Sequence, residues 1–262
     1  MEIIIVADAD RAAALVARII AKELRAKPGL VLGLATGRTM DRVYQDLVGL
    51  HVDEGLDFSR CRTFNLDEYI GLPEGHPGSY RSYMEERLFS RVNLRAGNTH
   101  LPDGRCPDLA AEAAGYEARI RDLGGIDLQL LGLGVDGHIG FNEPLSALLS
   151  RTREKALTPA TRAQNAALFA GDPGGVPRRA LTMGVGTIMD ARRCLLLATG
   201  PAKAAILAKA LEGPITAMVT ASALQLHPRC QVIVDEAAAT ALQGVEYYRW
   251  IFENEPEWAE FR

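Results

Sequence analysis

The chain has 262 residues, of which 48% are apolar, 24% charged and 6% aromatic. This length and apolar content suffice for a sizeable α/β core and exclude an intrinsically disordered chain. With 29 basic and 33 acidic residues, the formal net charge of -4 argues against nucleic-acid binding driven by net charge.

The four cysteines are widely spaced and form no C-x-x-C pair, which argues against a disulfide framework or a thiolate zinc site. The opening residues lack the basic region and cleavage site of a signal peptide. No apolar stretch approaches the roughly 20 residues that cross a bilayer. We therefore expect a soluble cytoplasmic protein without a membrane or nucleic-acid partner.

Short apolar runs alternate with helical patterns along most of the chain. The predicted strands are Ile3–Val6, Leu30–Leu34, Arg62–Leu66, Ile126–Leu133, Cys194–Ala198 and Gln231–Val234. The predicted helices are Asp10–Leu24, Thr39–Leu50, Ser79–Phe89, Leu109–Leu123, Ala202–Leu211 and Glu236–Leu242. Apolar strands separated by helices are typical of a mostly parallel sheet covered on both faces. We predict one α/β domain over residues 1–262.

Residues 145–177 interrupt this alternation. The segment is rich in Ser, Thr, Arg and Ala, and it ends in Gly171-Asp172-Pro173-Gly174-Gly175. Such an insert in an α/β domain is often a lid or a binding loop, and a surface helical excursion is the alternative.

Two predicted strands run into a glycine turn that opens a helix. The first turn contains Thr36-Gly37-Arg38-Thr39, and the second contains Thr199-Gly200-Pro201 followed by Lys203. Backbone N–H groups and the helix dipole at such a turn bind anions, and the charges of Arg38 and Lys203 suit phosphate. The alternatives are an ordinary turn with Thr39 as N-cap and a solvated helix lysine.

Two further strand ends carry groups for proton transfer. Asp67 and Glu68 follow Arg62–Leu66, and either one is suited to act as a general base or to cap the next helix. Asp136, His138 and Glu143 follow the strand Ile126–Leu133. A histidine between two carboxylates suits a proton shuttle near neutral pH. A structural turn or a metal site is the alternative, although no H-E-x-x-H motif occurs.

Several longer motifs closely resemble the glucosamine-6-phosphate deaminase family. They are F-N-L-D-E-Y-I-G-L (Phe64–Leu72), H-P-G-S-Y (His76–Tyr80), G-V-D-G-H-I-G-F-N-E-P (Gly134–Pro144), A-L-T-M-G-V-G-T (Ala180–Thr187), L-E-G-P-I-T (Leu211–Thr216) and L-Q-L-H-P (Leu224–Pro228). The motifs occur in family order from about Leu30 to Pro228. Together they are far more specific than any one motif.

The resemblance implies a three-layer Rossmann-like α/β domain with a helical lid. It also implies conversion of the small-molecule substrate glucosamine 6-phosphate to fructose 6-phosphate and ammonia, without a metal or another cofactor. By this match, Asp67 moves the C2 proton to C1. Asp136, His138 and Glu143 form the ring-opening relay, in which His138 handles the proton on the ring oxygen. The phosphate would be held by Thr36, Gly37, Arg38, Thr39 and Lys203.

The sequence departs from the family pattern at the expected phosphate site. Arg38 stands where relatives commonly carry a small residue, and Ala167 stands where they usually place a phosphate-binding arginine. We hypothesise that Arg38 replaces that lost guanidinium from the opposite side of the phosphate. The alternative is that Arg38 points to solvent and the phosphate is bound more weakly.

Some relatives are homo-oligomers activated by N-acetylglucosamine 6-phosphate at subunit contacts. The segment that would carry such a site contains Ser146, Arg151, Arg153 and Lys155. The resemblance leaves both a homo-oligomer and this regulation open.

Two other functions are consistent with the fold. A 6-phosphogluconolactonase shares the D-G-H element but usually follows it with a Ser-Leu-Phe-Pro-like run, whereas Phe141-Asn142-Glu143-Pro144 stands here. A non-catalytic sugar-phosphate sensor is expected to lose the catalytic carboxylates, yet Asp67, Asp136 and Glu143 are present. Within the deaminase interpretation, a preference for galactosamine 6-phosphate stays open.

Overall fold

Seven parallel strands form the central sheet of the protein, for which the computed structural model describes residues 1–262. The strands in chain order are β1 (Glu2–Val6), β2 (Val31–Leu34), β3 (Arg62–Asn65), β4 (Asp67–Tyr69), β5 (Thr99–His100), β6 (Leu128–Gly132), β7 (Arg153–Ala156), β8 (Arg179–Thr182), β9 (Cys194–Ala198) and β10 (Cys230–Asp235). The central sheet has the order β1-β10-β9-β6-β2-β3-β5. Its pairings are all parallel, so the carboxyl ends of its strands lie at one edge.

Helices flank this sheet. They are α1 (Ala9–Ala26), α2 (Arg38–Glu54), α3 (Tyr80–Arg87), α4 (Leu109–Asp122), α5 (Pro159–Asn165), α6 (Val185–Met189), α7 (Ala204–Leu211), α8 (Glu236–Ala239) and α9 (Val245–Asn254). All residues of β2, β9 and β10 are buried, because their apolar side chains are covered on both faces of the sheet. None of the helices combines the length and the hydrophobicity that a bilayer crossing would need.

Local capping sets where several helices begin. The side chain of Asp8 accepts a hydrogen bond from the N–H of Arg11 at the start of α1, over 2.8 Å. Asp108 does the same for α4, and Ser79 for α3. Each cap satisfies an N–H that has no partner inside its helix.

A second sheet packs beside the first and contains the short strands β4, β8 and β7 in antiparallel order. In the first row of paired residues across its three strands, Thr182 of β8 lies between Asp67 of β4 and Arg153 of β7. Side chains in one row of an antiparallel sheet project from the same face. This row therefore links the segment after β3 to the segment that precedes α5.

The predicted fold class is confirmed: the sheet is mostly parallel and Rossmann-like, and each predicted strand corresponds to an observed one. The antiparallel sheet and the C-terminal helix α9 were not predicted. Residues 145–177 contain β7, α5 and a 3₁₀ helix at Ala166–Phe169, so this segment is more ordered than a simple loop.

Candidate active site

The order of the strands brings the four strand-end motifs together. β9, β6, β2 and β3 are consecutive neighbours in the sheet, and each is followed by one of the predicted motifs. In open parallel sheets, ligands bind at the carboxyl ends of the strands, where loops and helix N-termini converge. The fold thus places the predicted phosphate turns, the predicted base and the predicted relay along one edge.

The structure distinguishes Asp67 from Glu68, which sequence spacing alone did not. Glu68 accepts hydrogen bonds from the backbone N–H groups of Tyr69, Tyr80 and Arg81, over 2.8 to 3.0 Å. It therefore holds the N-terminus of α3. Asp67 is also buried, yet its carboxylate accepts no hydrogen bond from the protein. Burial, and secondarily the charge of Glu68, raises the pKa of Asp67 well above its usual range.

His138 lies between two carboxylates. Its Nδ1 is 2.6 Å from Asp136 Oδ1 and 3.8 Å from Glu143 Oε2. Partial burial opposes ionisation of Asp136, but the hydrogen bonds and positive charge of His138 outweigh it and lower the pKa of Asp136 to about 2. Glu143 is held from the other side by the N–H of Thr158, which donates to its Oε1 over 3.0 Å. An ionised aspartate and a fixed glutamate are therefore placed to orient the imidazole.

The same three residues are also potential ligands of a metal ion. Each offers one ligand atom, and these atoms lie within 4.8 Å of one another. Two ligands of one tetrahedral zinc ion lie roughly 3.3 Å apart, since each is about 2.0 Å from the metal. The 2.6 Å between Asp136 Oδ1 and His138 Nδ1 is too short for both atoms to bind one ion. The geometry favours direct pairing of Asp136 with His138 over a shared zinc ion.

The first predicted phosphate turn leaves the N-terminus of α2 without a side-chain cap. Gly37 has a φ of 114°, which only glycine adopts readily, and α2 begins at the next residue, Arg38. Thr39 is therefore not the N-cap. Arg38 is exposed, while Thr36 and Thr39 are partly buried at the turn. The N-terminus of α2, with the charge of Arg38, suits an anion.

Lys203 extends this cationic region from the second turn. Its Nζ donates to the carbonyl of Leu133 at the end of β6, over 2.7 Å. Burial lowers the pKa of Lys203, the charge of Arg38 lowers it further, and Asp136 opposes the shift. Lys203 therefore interacts electrostatically with both Arg38 of the first turn and Asp136 of the relay. The N–H of Gly200 is already used by Asp235 Oδ1, so this second turn contributes mainly its lysine.

Gly140 shows how closely the base approaches the relay loop. A Cβ built on Gly140 would lie 3.5 Å from Asp67 Oδ2 and 3.0 Å from Thr182 Oγ1. Gly140 is only two residues from His138. Asp67 and the relay loop are thus neighbours at the carboxyl ends of the strands.

Residues 145–177 cover this region through an aromatic contact. Phe169 packs edge-on against Tyr69 and stacks on His76, with ring centroids 5.4 and 5.7 Å apart, respectively. A Cβ at Gly78 would lie 2.7 Å from the Phe169 ring, so only glycine fits beneath it. Ala167 is exposed on the same 3₁₀ helix and supplies no charge.

In the segment expected for activator binding, the side chains of both arginines have partners within the chain. Arg151 pairs with Glu117 and Asp190, at 2.7 and 2.6 Å. Arg153 donates to Asn142 Oδ1. Ser146 is buried.

Sequence analysis missed Asn142 and Thr182 as parts of this site. The hydroxyl of Thr182 accepts the N–H of Phe141, and the side chain of Asn142 is completely buried behind the relay. Asn142 belongs to the F-N-E-P end of the Gly134–Pro144 motif, so the local sequence did contain a signal for it. Thr182 has no such signal, since its place depends on β4 pairing with β8.

Comparison with known proteins identifies the family. The family model "Glucosamine-6-phosphate isomerases/6-phosphogluconolactonase" matches residues 7–233. The chain is 49% identical to a glucosamine-6-phosphate deaminase of Arthrobacter sp. (strain FB24), over 98% of this chain and 99% of that protein. The chain belongs to this family.

Solved structures separate the two branches of the glucosamine-6-phosphate isomerase/6-phosphogluconolactonase family. The protein resembles a monomeric glucosamine-6-phosphate deaminase with a TM-score of 0.89 and 41% identity, over 92% of this chain and 100% of that chain. A 6-phosphogluconolactonase from Trypanosoma cruzi gives a TM-score of 0.74 at 21% identity, over 92% and 97% of the two chains. The second likeness concerns the fold alone. The predicted resemblance to the deaminases is confirmed.

Proposed function

We propose that this protein is an enzyme that converts glucosamine 6-phosphate and water into fructose 6-phosphate and ammonium. The proposal is carried by one observation: the buried carboxylate of Asp67 accepts no hydrogen bond from the protein and lies beside Gly140, two residues from His138 of the relay. A cyclic aminosugar must open before its C2 proton can be removed. The reaction therefore needs two separate centres for proton transfer.

In the proposed first step, the relay opens the sugar ring. His138 gives a proton to the ring oxygen and takes up the proton of the C1 hydroxyl, which yields the open-chain aldehyde. Asp136 and Glu143 stabilise the histidine in its charged form during this transfer. The 2.6 Å distance between Asp136 and His138 supports this role.

In the proposed second step, Asp67 removes the C2 proton and returns it at C1, while a proton of the amino group passes to the C1 oxygen. The product is the imine of fructose 6-phosphate, which water hydrolyses with release of ammonia. A base with a raised pKa is a better proton acceptor, provided that it is ionised at the working pH. We expect the rate to fall on the acidic side at a pH above the ordinary aspartate value of 3.8.

Arg38 and Lys203 would hold the phosphate at the N-terminus of α2, together with Thr36, Gly37 and Thr39. Binding energy from this remote group fixes the reacting carbons against Asp67. Arg38 would take the place of the guanidinium that Ala167 cannot supply. Residues 145–177 would act as a lid within a single cytoplasmic enzyme domain, with Phe169 as its contact to Tyr69 and His76.

The test is ammonia release from a panel of substrates: glucosamine 6-phosphate, galactosamine 6-phosphate, the unphosphorylated aminosugars and 6-phosphogluconolactone. We expect ammonia from glucosamine 6-phosphate and much less from the unphosphorylated sugars. Acid release from the lactone without ammonia from any aminosugar would favour a lactonase instead. No turnover of any compound, together with binding of an aminosugar phosphate, would favour a sensor.

A further inference from the structure

Asn142 lies between two functional segments and is held there by several hydrogen bonds. Its side chain is completely buried. Its Nδ2 donates to the carbonyl of Ile139 over 2.9 Å and to the carbonyl of Met183 over 2.8 Å. Its Oδ1 accepts from Arg153 Nη1 over 2.9 Å, and its backbone carbonyl accepts from the hydroxyl of Thr220 over 2.9 Å.

These partners come from four parts of the chain. Ile139 belongs to the relay loop itself, Met183 follows β8, Arg153 lies on β7, and Thr220 begins a 3₁₀ helix at Thr220–Leu226. Asn142 thus connects the loop between His138 and Glu143 to the antiparallel sheet. That sheet also holds the base, because Asp67 is in the first row with Thr182 and Arg153.

Asn142 is also close to the base. Asn142 Nδ2 and Asp67 Oδ2 each lie 3.5 Å from the position of a Cβ on Gly140, so the two atoms are within about 7 Å of each other. The N–H of Phe141 donates to Thr182 Oγ1 over 3.0 Å, which fixes the turn from the neighbouring residue.

We propose that Asn142 is a positioning residue that sets the distance between the base Asp67 and the ring-opening relay. This inference rests on the proposed function. Asn142 does not touch the reacting atoms. It acts through Gly140 on one side and through Glu143, the next residue, on the other.

An asparagine fits this role better than an aspartate does. Two buried carbonyls need donors, and only the amide NH₂ supplies both. The guanidinium of Arg153 is half-buried and has no carboxylate partner, and burial lowers its pKa. An aspartate at position 142 would neutralise Arg153, but it would also place a second negative charge near Asp67.

The test compares Asn142→Ala and Asn142→Asp with the wild type by ammonia release from glucosamine 6-phosphate. For Asn142→Ala we expect kcat to fall about a hundredfold, since an error of about 1 Å in placement costs this much. KM should change by less than about threefold, because Arg38 and Lys203 are not held by Asn142. The acidic limb of the kcat profile should move to lower pH, because a loosened turn lets water reach Asp67.

Asn142→Asp should move the same limb in the opposite direction. The added carboxylate disfavours ionisation of Asp67 and therefore shifts the limb to higher pH. The other titratable groups near Asp67 stay in place in both variants: Glu68, Tyr69, Tyr80, Tyr116 and Arg153. Opposite shifts from one position are not expected from a loss of stability.

The matched control is Asn93→Ala. Asn93 also fixes a loop, since its Oδ1 accepts the N–H of Phe58 and its Nδ2 donates to Asp57, but this loop precedes β3 at the other edge of the sheet. We expect Asn93→Ala to lower the melting temperature without moving kcat or the acidic limb.

Two outcomes overturn the inference while the wild type remains active: an unchanged acidic limb in both Asn142 variants, or the same changes in Asn93→Ala. If Asn142→Ala does not fold, the test rests on whether the acidic limb of the kcat profile moves to higher pH in Asn142→Asp. A wild type that releases no ammonia would instead overturn the proposed function.

Discussion

The two edges of the central sheet each carry a carboxyl group of raised pKa, in different surroundings. At the carboxyl edge, Asp67 is buried and accepts no hydrogen bond from the protein. At the amino edge, burial and a hydrogen bond to Glu257 raise the pKa of Glu2 to about 7. Gln231 Nε2 donates to both carboxyl groups, over 3.2 and 3.4 Å. These groups line a cavity of about 510 Å³ together with Trp258.

This comparison teaches that a raised pKa alone does not identify a catalytic base. The carboxyl group of Glu2 lies beside that of Glu257 in the C-terminal segment, and Gln231 bonds to both, so this contact connects separate parts of the fold. Asp67 has no such partner, and it lies beside Gly140 of the relay loop. A free carboxylate beside a cleft can act on a substrate, whereas a paired one contributes to stability.

The largest effect is expected for Asp67→Asn. Without the base, kcat for ammonia release should fall about a thousandfold. The melting temperature should stay the same or rise, because a buried carboxylate with a raised pKa costs stability as the pH increases through its pKa. Kinetics at pH 7 and thermal unfolding of the same samples measure both effects.

Glu68→Gln is the neighbouring control. This carboxylate holds three N–H groups around the start of α3, so its loss should lower the melting temperature. If Asp67→Asn kept more than a tenth of the wild-type kcat, Asp67 would not be the base.

A smaller loss is expected for Asp136→Asn. The amide keeps the size of the side chain but removes the negative charge beside His138, and kcat should fall about a hundredfold. Steady-state kinetics at pH 7 provide the measurement. Asp57→Asn is the control, because Asp57 also accepts a backbone N–H but lies at the amino edge. Equal kcat values for wild type and Asp136→Asn would mean that Asp136 has no role in the relay.

Much of the fold was predictable because most parallel strands are apolar runs with clear boundaries. Cys194–Ala198 was predicted with its observed bounds, and the four functional turns followed from the strand ends. The antiparallel sheet was not predictable, since β4 has three residues and β7 reads Arg-Glu-Lys-Ala with no apolar alternation. The distinction between Asp67 and Glu68 was also beyond the sequence. This distinction depends on the tertiary contact between Glu68 and the N-terminus of α3.

The cationic side of the cleft allows a third prediction. Arg38→Ser should raise KM for glucosamine 6-phosphate about tenfold, which is about 1.4 kcal/mol, with little change in kcat. Inorganic phosphate should inhibit the variant more weakly by a similar factor. Arg42→Ser is the control, since Arg42 lies one turn further along α2 and pairs with Asp46. An unchanged KM in Arg38→Ser would mean that Arg38 does not replace the missing lid arginine.

The smallest effect, from Glu2→Gln, tests the amino edge. The folded pKa of Glu2 is about 7 against 4.5 for the free side chain, so the folded state binds the proton more tightly. Stability from this group is complete below pH 4.5 and is lost as the pH rises through 7. Because Glu2 is partly exposed, we expect this loss to be roughly 1 kcal/mol, or about 2 to 4 °C in melting temperature.

Glutamine keeps the shape of Glu2 but cannot ionise, so Glu2→Gln should melt at a higher temperature than the wild type at pH 8. At pH 4.5 the two proteins should be nearly equal. Ammonia release should not change, because the amino edge is remote from Asp67. Glu253→Gln, which alters an exposed carboxylate on α9, should show no such dependence on pH. If wild type and Glu2→Gln differed in melting temperature by the same amount at both pH values, the carboxyl pair at this edge would be ionised throughout. The contrast with Asp67 would then lie in pKa as well as in hydrogen bonding.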